Sequence, residues 1–341
     1  MDPKQFMELQ KLPYEVKRTW ALGKAKEFYD YFAGEVACSV GGLDSLVLLT
    51  FIRKYVSADI IGVSVSALED KSIQRIHQQM PNMVLLKPYK SMSQVIKDHG
   101  FPVISKEKAG KIQMLQRPTE KNACVRNAII TGDTGAYGGW RKGTRMRLPQ
   151  KWLDLFAGPE NEKYGTNYKT APFRVSPDCC YHMKEKPADD WFKANKFKPF
   201  MGLMASEGGQ RQKALMKHGC NYFGKTVQRS CPFAIFERDD LLRLALELEV
   251  PVPEIYGEIK EKPDGSLYTT LAQRTGCNMC GFGIHIEKRP HRFDRLRRQN
   301  PAEWKFWMYD MGWGEVLDYI GIGWKNPVAE RELLHQTGFG F

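Results

Sequence analysis

Residues 35–66, EVACSVGGLDSLVLLTFIRKYVSADIIGVSVS, carry the pattern that decides the fold of this chain. A short apolar run meets two glycines, a stretch with helical length and spacing follows, and a segment rich in Ile and Val comes next. The predicted elements are a strand at 35–40, a helix at 44–54, strands at 58–66 and 83–87, and a helix at 91–98. Strands that alternate with helices predict an α/β fold, in which a parallel sheet is flanked by helices.

Two glycines, Gly41 and Gly42, join the first predicted strand to the first predicted helix. Glycine lets the backbone turn sharply and approach a ligand, while Asp44 or Ser45 can cap the helix and leave backbone N–H groups facing an anion. An ordinary capped turn between a strand and a helix would use the same residues. The position after the first strand favours a phosphate site, because α/β folds bind ligands at the carboxyl edge of the sheet.

The composition is that of a globular chain with an excess of positive charge. Of its 341 residues 42% are hydrophobic, and 51 Lys and Arg against 39 Asp and Glu give a net charge of +12. This charge favours a polyanionic partner or anionic substrates. No apolar run approaches the roughly 18 residues of a membrane span, and the N-terminus lacks the features of a secretory signal. We therefore expect a cytoplasmic protein with no membrane partner.

The eight cysteines are too sparse for a disulfide scaffold and suit metal binding or chemistry better. Cys179 and Cys180 are adjacent, and Cys277 and Cys280 form a CxxC motif much later in the chain. Four thiolates fit either a tetrahedral zinc ion or an iron–sulfur cube. The alternative is that the adjacent pair is buried packing and that the CxxC pair binds zinc or nothing.

The glycine turn resembles the PP-loop of the adenine-nucleotide α-hydrolase-like superfamily. This superfamily includes ATP pyrophosphatases and the reductases of adenylyl sulfate and of phosphoadenylyl sulfate (PAPS). The family pattern SGG-x-DS is matched from Gly41 to Ser45, with Val40 in place of the first serine and Ser39 one residue earlier. The resemblance implies ATP, adenylyl sulfate or PAPS as the nucleotide, with Mg²⁺ as a further expected ion. The implied nucleotide-binding residues of the turn are Ser39, Val40, Gly41, Gly42, Asp44 and Ser45, with backbone N–H groups of Gly41, Gly42 and Ser45 on the phosphates.

The spacing of the cysteines, CC followed by CxxC, resembles the 4Fe–4S signature of bacterial adenylyl-sulfate reductases. The resemblance implies a 4Fe–4S cluster, with zinc as the alternative metal. His285, in the segment that follows the CxxC motif, is a candidate to support the cluster through a hydrogen bond, or else an ordinary surface or core histidine. The implied metal ligands are Cys179, Cys180, Cys277 and Cys280.

Two further segments are similar to the PAPS reductase family, and the resemblance spans about residues 33–325. In GLMASEGGQRQKAL, residues 202–215, the family pattern G-x-x-x-x-E-x-x-x-R implies Arg211 near the anionic end of the nucleotide, with Glu207 fixing its surroundings. Residues 231–256 are similar to the family's P-x-x-x-W-x-x-x-D-x-x-x-Y region. Arg211 is therefore a candidate catalytic residue as well as a nucleotide ligand.

The family's reductases carry a nucleophilic cysteine near the C-terminus, whereas this chain ends HQTGFGF and has no cysteine after Cys280. Cys220, in KHGCNYFGK, lies between basic residues that would favour its thiolate. We therefore name Cys220 as the candidate nucleophile. The alternative is a packing residue or a spare cluster ligand.

The expected domains are N-terminal helices at 1–29, a nucleotide-binding α/β domain at 30–250, a helical cysteine-containing module at 251–325 and a tail at 326–341. Within the module, residues 288–307 interleave five arginines with aromatic residues, among them Phe293, Trp304 and Trp307, which suits phosphate contacts and base stacking by a nucleic acid. A solvated helix face with its aromatics packed inward would give the same pattern.

The resemblance implies three alternative functions. The first is an ATP pyrophosphatase-type enzyme that activates an acceptor, a nucleic acid or a small molecule, and transfers sulfur to it with help from the cluster. The second is a reductase that forms sulfite from adenylyl sulfate or PAPS with an external thiol. The third is a non-catalytic nucleotide-binding regulatory module. A protein that donates sulfur or electrons is an expected partner of the first two.

Overall fold

The computed structural model describes residues 3–66, 69–157, 171–277 and 279–326. They divide into two compact units, which alternate along the chain. The first unit contains 3–66, 69–88 and 184–277, and the second contains 89–157, 171–183 and 279–326. Among the described residues, no helix combines the length and the apolar character that crossing a bilayer requires.

The elements are numbered in chain order. The strands are β1 (Val36–Val40), β2 (Ile61–Ser64), β3 (Met83–Leu85), β4 (Val103–Ile104), β5 (Lys198–Met201), β6 (Asn221–Phe223), β7 (Gln228–Ser230), β8 (Ile259–Glu261), β9 (Leu267–Thr269) and β10 (Gly281–Phe282). The helices are α1 (Pro3–Gln10), α2 (Tyr14–Tyr31), α3 (Leu43–Tyr55), α4 (Lys71–Gln79), α5 (Met92–His99), α6 (Lys106–Gln116), α7 (Ala123–Thr131), α8 (Gln150–Phe156), α9 (Lys186–Ala194), α10 (Gly209–His218), α11 (Arg238–Glu247), α12 (Arg292–Gln299), α13 (Pro301–Lys305) and α14 (Trp313–Tyr319). Two π-helical turns lie at Tyr181–Glu185 and Phe306–Asp310.

The first unit is built on a six-stranded sheet with the order β3–β2–β1–β5–β7–β6. Every neighbouring pair is parallel except β6 and β7, which are antiparallel. The predicted α/β class with a mostly parallel sheet is therefore confirmed. The chain moves from β1 outward through β2 and β3, and then returns to place β5 on the other side of β1. The order of the strands thus reverses between β1 and β5, and ligands of open α/β sheets bind at this kind of position.

The core of the first unit explains why β1 and α3 form where they do. Four of the five β1 residues are buried, as expected of a parallel strand covered on both faces. Eight of the 13 residues of α3 are buried as well, so this helix is enclosed on most of its circumference. The buried position of both elements fixes the turn between them relative to the sheet.

The second unit is mainly helical, with a two-stranded parallel sheet formed by β4 and β10. Its core is aromatic: the Trp313 ring lies 5.1 Å from that of Phe101 and 5.2 Å from that of Phe293. Gly281 in β10 packs so closely against the Trp313 ring that a side chain there would clash with it. The pairing of β4 with β10 groups residues 89–157 with the C-terminal module.

This division differs from the predicted boundaries at 30–250 and 251–325. Residues 251–277 belong with the sheet of the first unit, where β9 packs against α11, and residues 89–157 do not. The helices predicted at 1–29 belong to the first unit. Of the predicted tail at 326–341, all residues after 326 lie outside the described part of the chain.

Candidate functional site

The turn between β1 and α3 is held by the Ser45 hydroxyl. The Gly41 N–H donates to Ser45 Oγ over 2.7 Å, and Ser45 Oγ in turn donates to the Gly42 carbonyl over 2.9 Å. The Gly41 N–H, one of the three expected phosphate donors, is therefore already used inside the turn. Within the described residues, the N–H groups of Asp44 and Ser45, in the first turn of α3, have no hydrogen-bond partner. These are the backbone donors that the turn can offer to an anion.

Tyr256 closes one side of the turn. Its hydroxyl accepts a hydrogen bond from the Leu43 N–H at 3.1 Å and lies 2.8 Å from Thr275 Oγ1. Burial, followed by the negative charge of Asp44, raises the pKa of Tyr256 to about 12, so the phenol keeps its proton. A Cβ atom on Gly42 would clash with this hydroxyl, which explains why glycine occupies the position.

His77 of α4 supports the turn from the other direction. This fully buried ring places Nε2 2.9 Å from the Gly41 carbonyl oxygen and Nδ1 3.0 Å from Ser64 Oγ, at the end of β2. A carbonyl only accepts hydrogen bonds, so Nε2 carries the proton and Nδ1 accepts from the Ser64 hydroxyl. Burial lowers the pKa of His77, although the Gly41 carbonyl and Glu69 act in the opposite direction. The ring is therefore neutral near pH 7.

A cavity of about 140 Å³ opens beside the turn, at the point where the strand order reverses. Gly202, directly after β5, packs against the turn so closely that a Cβ atom there would lie 2.9 Å from the Cα of Ser45. A cavity of this volume has room for a phosphate group. Its lining residues are Asp44, Met204, Ser206, Glu237, Arg238, Gln273 and Arg274.

Arg238, the first residue of α11, is the clearest anion ligand in this cavity. Its Nη1 is bonded to the Asp44 carboxylate. Its Nε and Nη2 are buried and have no hydrogen-bond partner among the described residues. Buried guanidinium donors are normally satisfied, and a phosphate offers the two acceptors that this fork of donors matches.

Glu207 and Arg211 meet, as their spacing on the chain predicts. The Glu207 carboxylate, 4% exposed, is bonded to Arg211 and lies 3.9 Å from Arg274 Nη2. Arg211 itself extends to the surface. Glu207 thus orients two arginines beside the cavity, while the predicted contact of Arg211 with a nucleotide stays a prediction.

Ser39 and Val40 contribute less to the candidate site than the residues that follow them. Val40 is buried in the core of the first unit, so its side chain faces away from any ligand. Ser39 lies within β1, in register with Val63 and Met201. Neither residue lines the cavity.

Cys220 does not fit the role of a nucleophile. It is 3% exposed and packs in the core of the first unit. Burial raises the pKa of its thiol, against the smaller effects of Trp20 and Lys24 that lower it. The basic neighbours in the sequence do not produce a thiolate because desolvation outweighs them. The packing alternative describes Cys220 better.

The four cysteines of the predicted cluster belong to both units: Cys277 is the last residue of the first, and the other three lie in the second. Among the described residues, which include all four cysteines, no group of three or more His, Cys, Asp or Glu side chains could hold a metal ion. A 4Fe–4S cluster or a zinc ion at these four cysteines stays a prediction.

Cys277 has a cationic neighbour within the first unit. Burial alone would lower the pKa of Lys184, but Glu69 and Cys277 together raise it, and Lys184 bonds to the Glu69 carboxylate.

His285, in the second unit, packs edge-on against the Trp152 ring at 5.5 Å. Its Nδ1 is buried without a hydrogen-bond partner in the described part of the chain.

The basic aromatic segment 288–307 is folded inward. Three of its four Phe and Trp residues are buried and cannot stack on bases, and the fourth, Phe306, is 40% exposed. Arg289 pairs with Asp294, Arg292 pairs with Glu287, and the Arg297 guanidinium lies 4.4 Å from the centre of the Trp304 ring. A nucleic-acid partner stays a prediction, but these contacts do not support this segment as its binding site. The buried aromatics are Phe293, Trp304 and Trp307.

A larger cavity, of about 630 Å³, lies in the second unit. Its lining is mostly apolar, with the rings of Phe101, Phe156 and Phe173 among its walls. We assign the candidate nucleotide site to the smaller cavity, because only that one combines unpartnered helix N–H groups with a buried guanidinium.

Sequence reasoning missed Arg238, Arg274, Tyr256 and His77. Arg238 and Tyr256 lie in residues 231–256, whose similarity to the PAPS reductase family drew attention to other positions. His77 is a histidine on an amphipathic helix, with no motif around it. Its role follows from the packing of α4 against the sheet, which a single sequence does not reveal.

Comparisons with known proteins found a structural likeness. No protein-family model matches this chain, and no curated protein matches its sequence. A solved structure of phosphoadenylyl-sulfate (PAPS) reductase from Candida auris, a phosphate complex, is similar to it with 12% sequence identity and a TM-score of 0.35. The match covers 67% of this chain and 82% of that one.

Proposed function

We propose that the first unit is a PP-loop, PAPS reductase-like nucleotide site that cleaves ATP between its α- and β-phosphates and so activates an acceptor for sulfur transfer. The observation that carries the proposal is Arg238. Two of its donors are buried and unpartnered in a cavity bordered by Asp44, whose own N–H group is also unpartnered among the described residues. Their convergence at the point where the strand order reverses supports a phosphate ligand.

The chemistry is a displacement at the α-phosphorus. An oxygen of the acceptor attacks, a new P–O bond forms, and the bond to the β-phosphate breaks, so pyrophosphate leaves with the electron pair. Negative charge builds on the phosphate oxygens during this step. The N–H groups of Asp44 and Ser45 and the guanidinium groups of Arg238 and Arg274 are the donors that would stabilise it. Mg²⁺, when bound, would offset the charge of the leaving pyrophosphate.

The surrounding residues hold these donors in place. Neutral His77 fixes the Gly41 carbonyl and Tyr256 fixes the Leu43 N–H, so the turn keeps one shape before the nucleotide arrives. Donors that are already oriented need no reorganisation at the moment of reaction, and this is the main source of such stabilisation. We assign no step to a metal cluster, because the cluster expected at the four cysteines stays a prediction.

The test is pyrophosphate release from ATP by the full chain, with wild-type protein, Arg238→Gln and Arg243→Gln. Arg243 lies on the same helix, is exposed, and pairs with Asp239, so it is the matched control. We expect Arg238→Gln to lower the rate about a hundredfold, the usual effect of losing one donor to the developing charge, and Arg243→Gln to leave it unchanged.

Other outcomes separate the alternatives. Sulfite formed from adenylyl sulfate or PAPS in the presence of an external thiol would replace the proposal with the reductase function. Tight nucleotide binding with no turnover would replace it with a regulatory module. Equal activity of wild-type protein and Arg238→Gln would place the phosphates elsewhere.

A further inference from the structure

The glycine-rich loop 133–147 of the second unit presents two aromatic side chains to solvent. Tyr137 is fully exposed and Trp140 is 76% exposed, more than any other aromatic side chain of the described residues. Trp140 is the one exposed tryptophan among the eight in the chain, all of which the structure describes. Neither ring contacts another ring or a cation within the described residues, so packing does not explain why large apolar groups lie here.

The loop is ordered by its own hydrogen bonds. The Thr134 N–H donates to the Arg141 carbonyl at 2.8 Å, and the Arg141 N–H donates to Thr134 Oγ1 at 2.9 Å. At its base, the Thr144 N–H and the Thr144 hydroxyl donate to the Gly132 carbonyl at 2.9 and 2.7 Å. The two aromatic residues are therefore held on a closed turn, which lowers the entropy cost of binding through them.

Trp140 has a backbone conformation that a bulky residue rarely adopts. Its φ is +52°, in the left-handed region, and its N–H bonds to the Gly135 carbonyl at 3.2 Å to close the turn. Because its ring is exposed, no burial offsets this strain. Strained residues of this kind concentrate at binding sites.

The charge of the loop is mostly positive. Residues 133–147 contain four basic residues and one acidic residue, Asp133, whose carboxylate accepts a hydrogen bond from the Gly143 N–H at 3.1 Å. Among the described residues, the side chains of Arg141, Lys142 and Arg145 are exposed and make no ion pair or hydrogen bond. These three cations differ from Arg289, Arg292 and Arg297 of segment 288–307, each of which contacts a partner within the protein.

We propose that the loop 133–147 binds single-stranded nucleic acid. Bases stack on the exposed Tyr137 and Trp140 rings, and the unpaired Arg141, Lys142 and Arg145 contact the phosphates of the same strand. Exposed aromatic rings that lie next to unpaired cations in the chain suit a ligand that offers both bases and phosphates. In a duplex the bases are stacked on one another, so the rings would lose their partners. Cleavage of ATP in the first unit does not require single-stranded nucleic acid at this loop. The proposal for the loop and the proposed function can therefore fail independently.

The test is fluorescence anisotropy of labelled 20-nucleotide oligo(dT) and oligo(U), measured with the full chain in the absence of ATP. We expect Tyr137→Ala/Trp140→Ala to weaken binding at least tenfold, since stacking on one ring alone is worth about this factor. The matched control is Tyr31→Ala, which removes another exposed tyrosine of the protein. The circular dichroism melt of Tyr137→Ala/Trp140→Ala should coincide with that of wild type, because neither ring packs against another ring of the described residues.

The salt dependence of binding tests the cations. The slope of log affinity against log salt should become shallower by about 1.4 in Arg141→Gln/Lys142→Gln, or about 0.7 for each phosphate that the protein no longer neutralises. Lys26→Gln/Lys121→Gln removes two exposed lysines elsewhere and should keep the wild-type slope. Equal oligonucleotide affinity of wild type and the aromatic variant, tighter binding to a 20-base-pair duplex, or preference for vesicles of anionic lipid would each overturn the proposal.

Discussion

His77 determines whether the Gly41 carbonyl is held in place. The ring is fully buried between that carbonyl and Ser64 Oγ, and it serves both partners only while it is neutral. A second proton on Nδ1 would leave the Ser64 hydroxyl without its acceptor and would put a charge in the core. Protonation of His77 therefore destabilises the turn between β1 and α3.

The lowered pKa of His77 predicts a pH-dependent stability. Above about pH 6.5 the ring is neutral in both folded and unfolded chains; as pH falls below that value, the unfolded chain gains a proton that the folded chain resists. Stability is therefore lost on acidification. His77→Gln should lower the free energy of unfolding by about 1–3 kcal/mol at pH 8, and by less at pH 5 because the titration of His77 is gone. Urea unfolding at both pH values measures this.

The control for that prediction is His218→Gln, a substitution of a partly exposed histidine in the same unit. Its free energy of unfolding should follow that of wild type at both pH values. If the cost of His77→Gln were the same at pH 5 and pH 8, His77 would not be the group that titrates.

Arg238 shows how a single residue can indicate a missing ligand. Leaving buried donors without acceptors costs about 1–3 kcal/mol for each group, more where the group is charged. The fold tolerates this cost at Nε and Nη2, although Nη1 has the Asp44 carboxylate as its partner. Such a cost is recovered when an anion enters the cavity, which makes the arrangement suitable for binding rather than for stability alone.

The turn between β1 and α3 depends on two glycines for different reasons. A Cβ atom on Gly42 would clash with Tyr256 Oη, whereas one on Gly41 would meet only Ser45 Oγ, at 4.0 Å. Neither glycine has a positive φ, so the difference between them is one of space. The chain thus offers a matched pair of substitutions in a single turn.

We expect Gly42→Ala to displace Tyr256, to break its bond to the Leu43 N–H, and to weaken ATP binding about tenfold or more. Gly41→Ala should change ATP affinity less than threefold. Isothermal titration with both variants checks this, and Gly42→Ala/Tyr256→Phe should recover part of the loss because the clashing oxygen is gone. Equal affinities of the two alanine variants would show that Tyr256 does not shape the site.

The elements of the first unit could be predicted from local patterns. The strand expected at 35–40 is Val36–Val40, and the helix expected at 44–54 is Leu43–Tyr55. The strand expected at 58–66 is shorter, Ile61–Ser64, because the residues before it complete the connection from α3. Apolar runs of buried strands and helices identify the elements well, since each run is contained in a few neighbouring residues.

Contacts between distant residues could not be predicted in this way. Asp44 and Arg238 are 194 residues apart and meet only because β5 and α11 return to the side of β1. The pairing of β4 with β10 likewise groups segments that composition and periodicity do not link, and it moved the predicted domain boundaries. The burial of Cys220 could not be predicted either, because the charged residues beside it in the sequence do not determine how it packs. Its burial is what argues against a role as nucleophile.

At the scale of the whole molecule, the cluster expected at the four cysteines stays a prediction. The tandem cysteines and the CxxC motif resemble a cluster signature, yet no metal-binding group exists among the described residues, and the four cysteines are divided between the two units. Thiolates bound to one metal ion gain binding energy that is also folding energy. A bound cluster would therefore also change the stability of both units.

The metal content of anaerobically purified protein tests the predicted cluster. The sequence predicts about four irons and four sulfides per chain, because four thiolates suit a 4Fe–4S cube. Cys280→Ser should then lose the iron and the brown colour, while Cys124→Ser, at an exposed cysteine outside the set, should keep both. One zinc per chain, lost in the same variant, would retain the four-cysteine site and remove its redox chemistry. Metal-free wild-type protein, with all four thiols open to alkylation, would contradict the prediction and leave the nucleotide site as the chemical centre of the molecule.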